Sequence, residues 1–93
     1  MEEYILEKIA TFSHLQGKIN ISNVPQHLLP NVGDTVNIVL SDLITHSNFI
    51  NANGYRINNV LIGNWLEQNN IGIGGAFYIK ITNNNTFEFL INV

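Results

Sequence analysis

Cysteine is absent from this 93-residue chain, which excludes a disulfide scaffold and any thiolate-held zinc. Charge is scarce as well: Asp, Glu, Lys and Arg make up only 12% of the residues, four of them basic and seven acidic. That is about half the usual charged share. A formal charge of −3 excludes the broad basic surface that usually announces a nucleic-acid binder. Long apolar runs are also missing. The longest are four or five residues, far below a membrane span, so no membrane partner is expected. The chain opens Met-Glu-Glu, without the basic and apolar regions of a secretory signal, and a cytoplasmic location is the expectation.

What is present belongs to a folded protein. Apolar residues reach 45%, and 93 residues suit one domain over 1–93, with a single core and too little chain for a second. Sixteen Asn and fourteen Ile dominate the composition. The Asn excess is read mainly as compositional, because Asn codons are AT-rich, and not as a binding code.

Period-two alternation is the main structural signal. Ile19 and Ile21 alternate with Lys18, Asn20 and Ser22; Val36, Ile38 and Leu40 with Thr35 and Asn37; Phe77, Ile79 and Ile81 with Tyr78, Lys80 and Thr82. A last strand, with Phe87, Phe89 and Ile91 inward, follows Asn83-Asn84-Asn85, whose side chains tolerate the left-handed turn of a hairpin. The run Tyr4 to Phe12 is read as strand, although Ile5, Leu6 and Ile9 also fit a helix face. Pro25 to Leu29 allows little more than one helical turn before Pro30. Leu61 to Gln68 reads as a helix capped by Asn59, with Leu61, Ile62, Trp65 and Leu66 on one buried face. Ser41 to Gly54 is polar and turn-prone, a hairpin arm or binding loop.

The two halves follow one order. Lys18-Ile19-Asn20, a short helix, Gly33-Asp34 and Val36 to Leu40 are followed by Arg56-Ile57-Asn58, a helix, Gly74-Gly75 and Phe77 to Ile81. Repeat halves at about 18–40 and 56–81 predict a mainly β fold with short helices, a small closed pseudo-barrel built from two strand-helix-strand units. Neither unit can bury its apolar strand faces alone, and closure leaves few free edges. Gly33 and Gly74 stand where the chain turns into a strand and positive φ is expected.

The words Lys18-Ile19-Asn20-Ile21, Leu28-Leu29-Pro30, Gly33-Asp34-Thr35-Val36-Asn37-Ile38, Arg56, Trp65 to Ile71 and Gly74 to Ile79 resemble B3-like DNA-binding domains. These occur in plant transcription factors and, closer to this chain, in restriction endonucleases. The first half also resembles the swapped-hairpin barrels of the AbrB type. The B3 likeness implies a single B3-like barrel that sets two strand-loop arms into the DNA major groove, where base edges carry a readable code. On this chain it implies duplex DNA contact by Lys18, Asn20, His46, Asn48, Asn51, Arg56 and Lys80, without catalysis, as in a restriction or defence system. Four basic residues leave little phosphate-neutralising capacity, so such a domain would bind weakly alone.

Other chemistry is discounted. His14, His27 and His46 lack a partner at metal-ligand spacing, and no metal or cofactor is expected. Gly72 to Gly75 leads into a strand and not a helix, which makes it a turn and not a phosphate loop. Ser13-His14 and Thr45-His46-Ser47 place base and nucleophile on neighbouring residues that point apart in a strand. Two competing readings stand beside DNA binding: a small phage or mobile-element protein that binds and inhibits a host protein, and an assembly domain of a larger polypeptide.

Overall fold

Alternating apolar and polar residues fold into eight strands among the residues described by the computed structural model, which are 2–82 and 84–93. A five-stranded sheet has the order β1 (Glu3–Ile9), β7 (Ala76–Thr82), β8 (Thr86–Leu90), β3 (Thr35–Leu40), β4 (Leu43–Asn48). Its pairs are antiparallel except β3 with β8, which run parallel. A three-stranded antiparallel sheet has β6 (Tyr55–Asn58) between β2 (Lys18–Asn20) and β5 (Ile50–Asn51). The protein is thus mainly β, with two short helices, α1 (Phe12–Leu15) and α2 (Val60–Gln68), and one 3-10 turn at Gln26–Leu28.

Register explains the core. Phe87 lies between Ile38 and Ile81, and Phe89 between Leu40 and Ile79, all buried on the inner face of the larger sheet. Ile19 and Ile57, both fully buried, face them from the smaller sheet. Phe77 stacks on Phe89 at 6.1 Å, and Trp65 of α2 meets Phe89 edge-on at 5.9 Å, so the helix closes one end of this cluster.

Two devices join the sheets. The first is β4 running on into β5 through Phe49, a fully buried residue that stacks on Tyr55 at 5.3 Å and meets Phe87 edge-on. The second replaces a backbone ladder with a side chain. Ser47 Oγ accepts from Asn58 N at 2.9 Å and donates to Asn58 O at 3.1 Å, which ties β4 to β6. Asn59, the N-cap of α2, adds bonds from Nδ2 to His46 O at 2.7 Å and Thr45 Oγ1 at 2.9 Å. The barrel-like closure expected from the strand pattern is therefore made of two sheets with side-chain seams; no continuous ladder closes it among the described residues.

The strand-helix-strand order does recur, as β2, the 3-10 turn and β3, then β6, α2 and β7. The matched residues Ile19 and Ile57 are cross-strand partners, flanked by Lys18 opposite Asn58 and Asn20 opposite Arg56, so the two halves meet at this antiparallel pair. They diverge beyond it. Pro25 and Pro30 hold the first helical segment to three residues against nine in α2, and β8 sits between β3 and β7. Gly33 and Gly74 have φ +96° and +91°, as their turns require, and Asp34 Oδ2 accepts from Asn31 N at 3.1 Å.

Some local expectations are corrected. β1 ends at Ile9, and Phe12 starts α1 with its ring exposed, because Thr11 caps a helical turn there. Ile91 lies beyond the end of β8 and is exposed, not inward. Of the two readings of Ser41 to Gly54, the hairpin arm holds and the loop does not: β4 pairs back on β3 and β5 on β6, with turns only at the two ends of the segment. Of the Asn83-Asn84-Asn85 turn, Asn83 lies outside the described residues, and Asn85 has the left-handed φ of +59°.

Candidate functional site

The central strand of the smaller sheet sets the site. Burial of Ile19 and Ile57 inward forces Lys18, Asn20, Arg56 and Asn58 onto the outer face, since strand side chains alternate. Arg56 is flanked by Asn20 of β2 and Ile50 of β5. Beside this face, α1 brings Thr11, Ser13 and His14 against Lys18, Asn20 and Arg56 around a cleft of about 240 Å³. No carboxylate lines it among the described residues.

The α1 wall is held by packing against α2. Gly63 of α2 lies so close to α1 that a Cβ there would stand 2.1 Å from Leu15 O, and Gly17, at φ +87°, passes as closely to Asn59 O. Thr11 and His14 form a reciprocal cap: His14 N donates to Thr11 Oγ1 at 3.4 Å, and Thr11 N donates to His14 Nδ1 at 3.1 Å. The imidazole is buried edge-on to Phe77 at 5.5 Å. Burial first, and then the nearby Lys8 cation, depress its pKa below 6.5, opposed by a hydrogen bond to the Ile9 backbone. Burial also lowers the pKa of Lys8 itself.

Charge is therefore segregated. Of the four Lys and Arg residues, Lys18 and Arg56 line the cleft and Lys8 acts on its His14, and none of the three forms an ion pair among the described residues. Lys80 sits on β7 in the other sheet, between Glu88 at 3.4 Å and Glu3 at 3.5 Å. The hydrogen bond and charge of Glu88, then Glu3, raise its pKa. Arg56 Nε is buried without a hydrogen-bond partner among the described residues.

Of the seven residues singled out from the sequence, the structure brings together Lys18, Asn20 and Arg56. It sets the others apart. Lys80 is neutralised by acids, and His46 and Asn48 are exposed on β4, on the side opposite Ser47, which turns toward β6. Asn51 Oδ1 accepts from Gly54 N at 3.3 Å and closes the turn into β6. His14, His27 and His46 lie on three separate elements, and His27 pairs with Glu2 at 2.6 Å. Sequence reasoning missed Thr11, Ser13 and His14 as cleft residues. The signal was Thr-x-x-His at a helix start, a capping box with His where Glu or Gln is usual.

The fold is similar to that of a hypothetical Arabidopsis thaliana protein, with a TM-score of 0.65 at 16% identity, over 96% of this chain and 89% of that one. No protein-family model matches the chain. No curated protein matches it either. Among the described residues, no helix is long and apolar enough to cross a membrane.

Proposed function

We propose that this chain is a non-catalytic DNA-binding module that holds duplex DNA against the outer face of β2 and β6. The observation that carries this reading is the clustering of Lys18 and Arg56, unpaired, in one acid-free cleft, while Lys80 is consumed by two glutamates. Net charge governs long-range attraction, but contact is made by local potential, and a concave cationic face attracts a phosphodiester even on a chain of charge −3. Lys18 and Arg56 supply phosphate contact, and Asn20 stands beside them with the donor-acceptor pair that reads adenine. The turn between β5 and β6, at residues 52–54, flanks this face as an arm. The B3-like resemblance supports the same face. Two cations gathered in a single cleft give modest affinity, which suits a module of a larger restriction or defence enzyme whose other parts add charge.

The test is fluorescence anisotropy of labelled duplexes at low salt. Saturable binding tighter than about 10⁻⁴ M, the weak edge of ordinary non-specific affinity, is expected. Failure of every duplex to saturate by that concentration refutes the reading.

One observation favours a protein partner instead. A groove between the β3–β4 hairpin and α2 is lined by Leu40, Leu43, Leu61 and Trp65 together with Asn64 and Gln68, with Leu43 exposed. A stoichiometric complex with a protein and no nucleic acid, lost in Leu43→Asp, would support this alternative.

A further inference from the structure

We propose that the cleft between α1 and the β2–β6 face is a pocket for one phosphate group, carried either by a backbone phosphodiester or by a terminal phosphomonoester. This deepens the DNA-binding reading and rests on it only for the source of the phosphate.

Size and donors both fit. A cleft of about 240 Å³ is large enough for a phosphate group with part of its hydration. Lys18 offers a compact ammonium, Arg56 a planar fork, Asn20 an amide, and Thr11 and Ser13 hydroxyls. These donors come from both sides of the cleft, and none is opposed by a carboxylate among the described residues. His14 does not compete for the anion as an acceptor, because its Nδ1 already takes the Thr11 N–H. The His14 ring instead forms a buried wall, edge-on to Phe77.

The shielded Nε of Arg56 is the strongest single pointer. A buried donor without an acceptor destabilises the free protein, and native structures carry few of them. A phosphate in the cleft draws the guanidinium round so that Nε and one Nη face two of its oxygens, the bidentate arrangement that Arg makes with oxyanions. Binding therefore satisfies a group that folding leaves unsatisfied. A carboxylate ligand would use the Arg56 fork but leave Lys18 and the hydroxyl side of the cleft unserved. The additional oxygens of phosphate reach both.

The experiment is a titration of the whole chain with inorganic phosphate, followed by amide and imidazole NMR at constant ionic strength set with chloride. Selective, saturating shifts at Ser13, His14, Lys18, Asn20 and Arg56 in the millimolar range are expected, with Lys80 and Glu88 unmoved. Lys18→Ala, an exposed residue whose loss leaves the core intact, should weaken the apparent affinity at least fivefold. Shifts that do not saturate, or that Lys18→Ala leaves unchanged, overturn the pocket.

Duplex arms separate this proposal from the reading it rests on. If inorganic phosphate saturates the cleft while no duplex binds, the pocket stands and DNA binding falls. If Lys18→Ala weakens duplex binding but millimolar phosphate neither saturates the cleft nor competes with the duplex, DNA binding at this face stands and the pocket falls. Tighter binding of a 5′-phosphorylated than of a 5′-hydroxyl duplex, by tenfold or more, identifies the terminal monoester as the occupant. Equal binding that phosphate inhibits identifies the backbone.

Discussion

Trp65 lies edge-on to Phe89 and its Nε1–H donates to Ser41 Oγ at 3.0 Å, so its ring is both packed and hydrogen-bonded. Trp65→Ala is expected to cost about 3–5 kcal/mol, measured by urea denaturation. A variant that melts within a degree or two of the parent would contradict its place in the core. His14 sets a pH dependence of definite sign. Its folded pKa lies below 6.5, so the unfolded chain binds the proton first as pH falls. The stabilisation from the neutral ring is complete above about pH 6.5 and is lost progressively between there and the lower folded value. His14→Gln keeps a side chain that can complete the cap with Thr11 but does not titrate. Its urea midpoint should therefore change less than the parent's between about pH 7 and about pH 5.5. An equal change in both would remove His14 as the cause. These two residues differ in legibility. Trp65 was readable as core because Leu61, Ile62 and Leu66 share its helical face. His14 was not, because its burial depends on Phe77, 63 residues away in sequence, and no local pattern encodes that contact.

At the scale of elements, the cleft depends on how closely α1 sits against α2. Gly63→Ala would put a methyl group 2.1 Å from Leu15 O and force the helices apart, at an expected cost of about 1–3 kcal/mol. Gly72→Ala is the contrasting case, with open space around its Cβ and no positive φ, and should stabilise by about 0.4–1 kcal/mol. Parallel thermal melts of the two variants check both; equal effects would show that the contact at Gly63 is not tight. Ser47→Ala removes the two bonds that tie β4 to Asn58 and should cost about 1–2 kcal/mol, with faster hydrogen exchange at Asn58. The strands themselves were legible from alternation at Ile19, Ile38, Ile79 and Phe87. The seam was not, because a lone Ser in a polar strand carries no sign of the strand it will bridge. The segment Ser41 to Gly54 stayed open between hairpin arm and loop for a related reason: its Asn and Ser residues suggest turns, and only pairing with Val36, Ile38 and Leu40 of β3 holds it as strand.

For the whole molecule the sum of charges is a poor guide, and their placement decides. A chain of −3 presents a face where Lys18 and Arg56 stand without acids, while Glu3 and Glu88 gather around Lys80 on the other sheet. Composition gave the sum; only the β2–β6 register, with Asn20 opposite Arg56, brings the cleft residues together. Arg56→Ala is expected to weaken duplex binding by about 1–3 kcal/mol and to leave the fold intact, as far-ultraviolet circular dichroism would show. Unchanged affinity would remove Arg56 from the interface. The most direct measurement is the salt dependence of duplex affinity for the parent, Lys18→Ala and Lys80→Ala. One phosphate held jointly by Lys18 and Arg56 gives a slope of about −0.9 in log K against log salt, which Lys18→Ala should make shallower and Lys80→Ala should leave unchanged. A slope near zero in the parent, or an equal loss in both variants, would contradict the account.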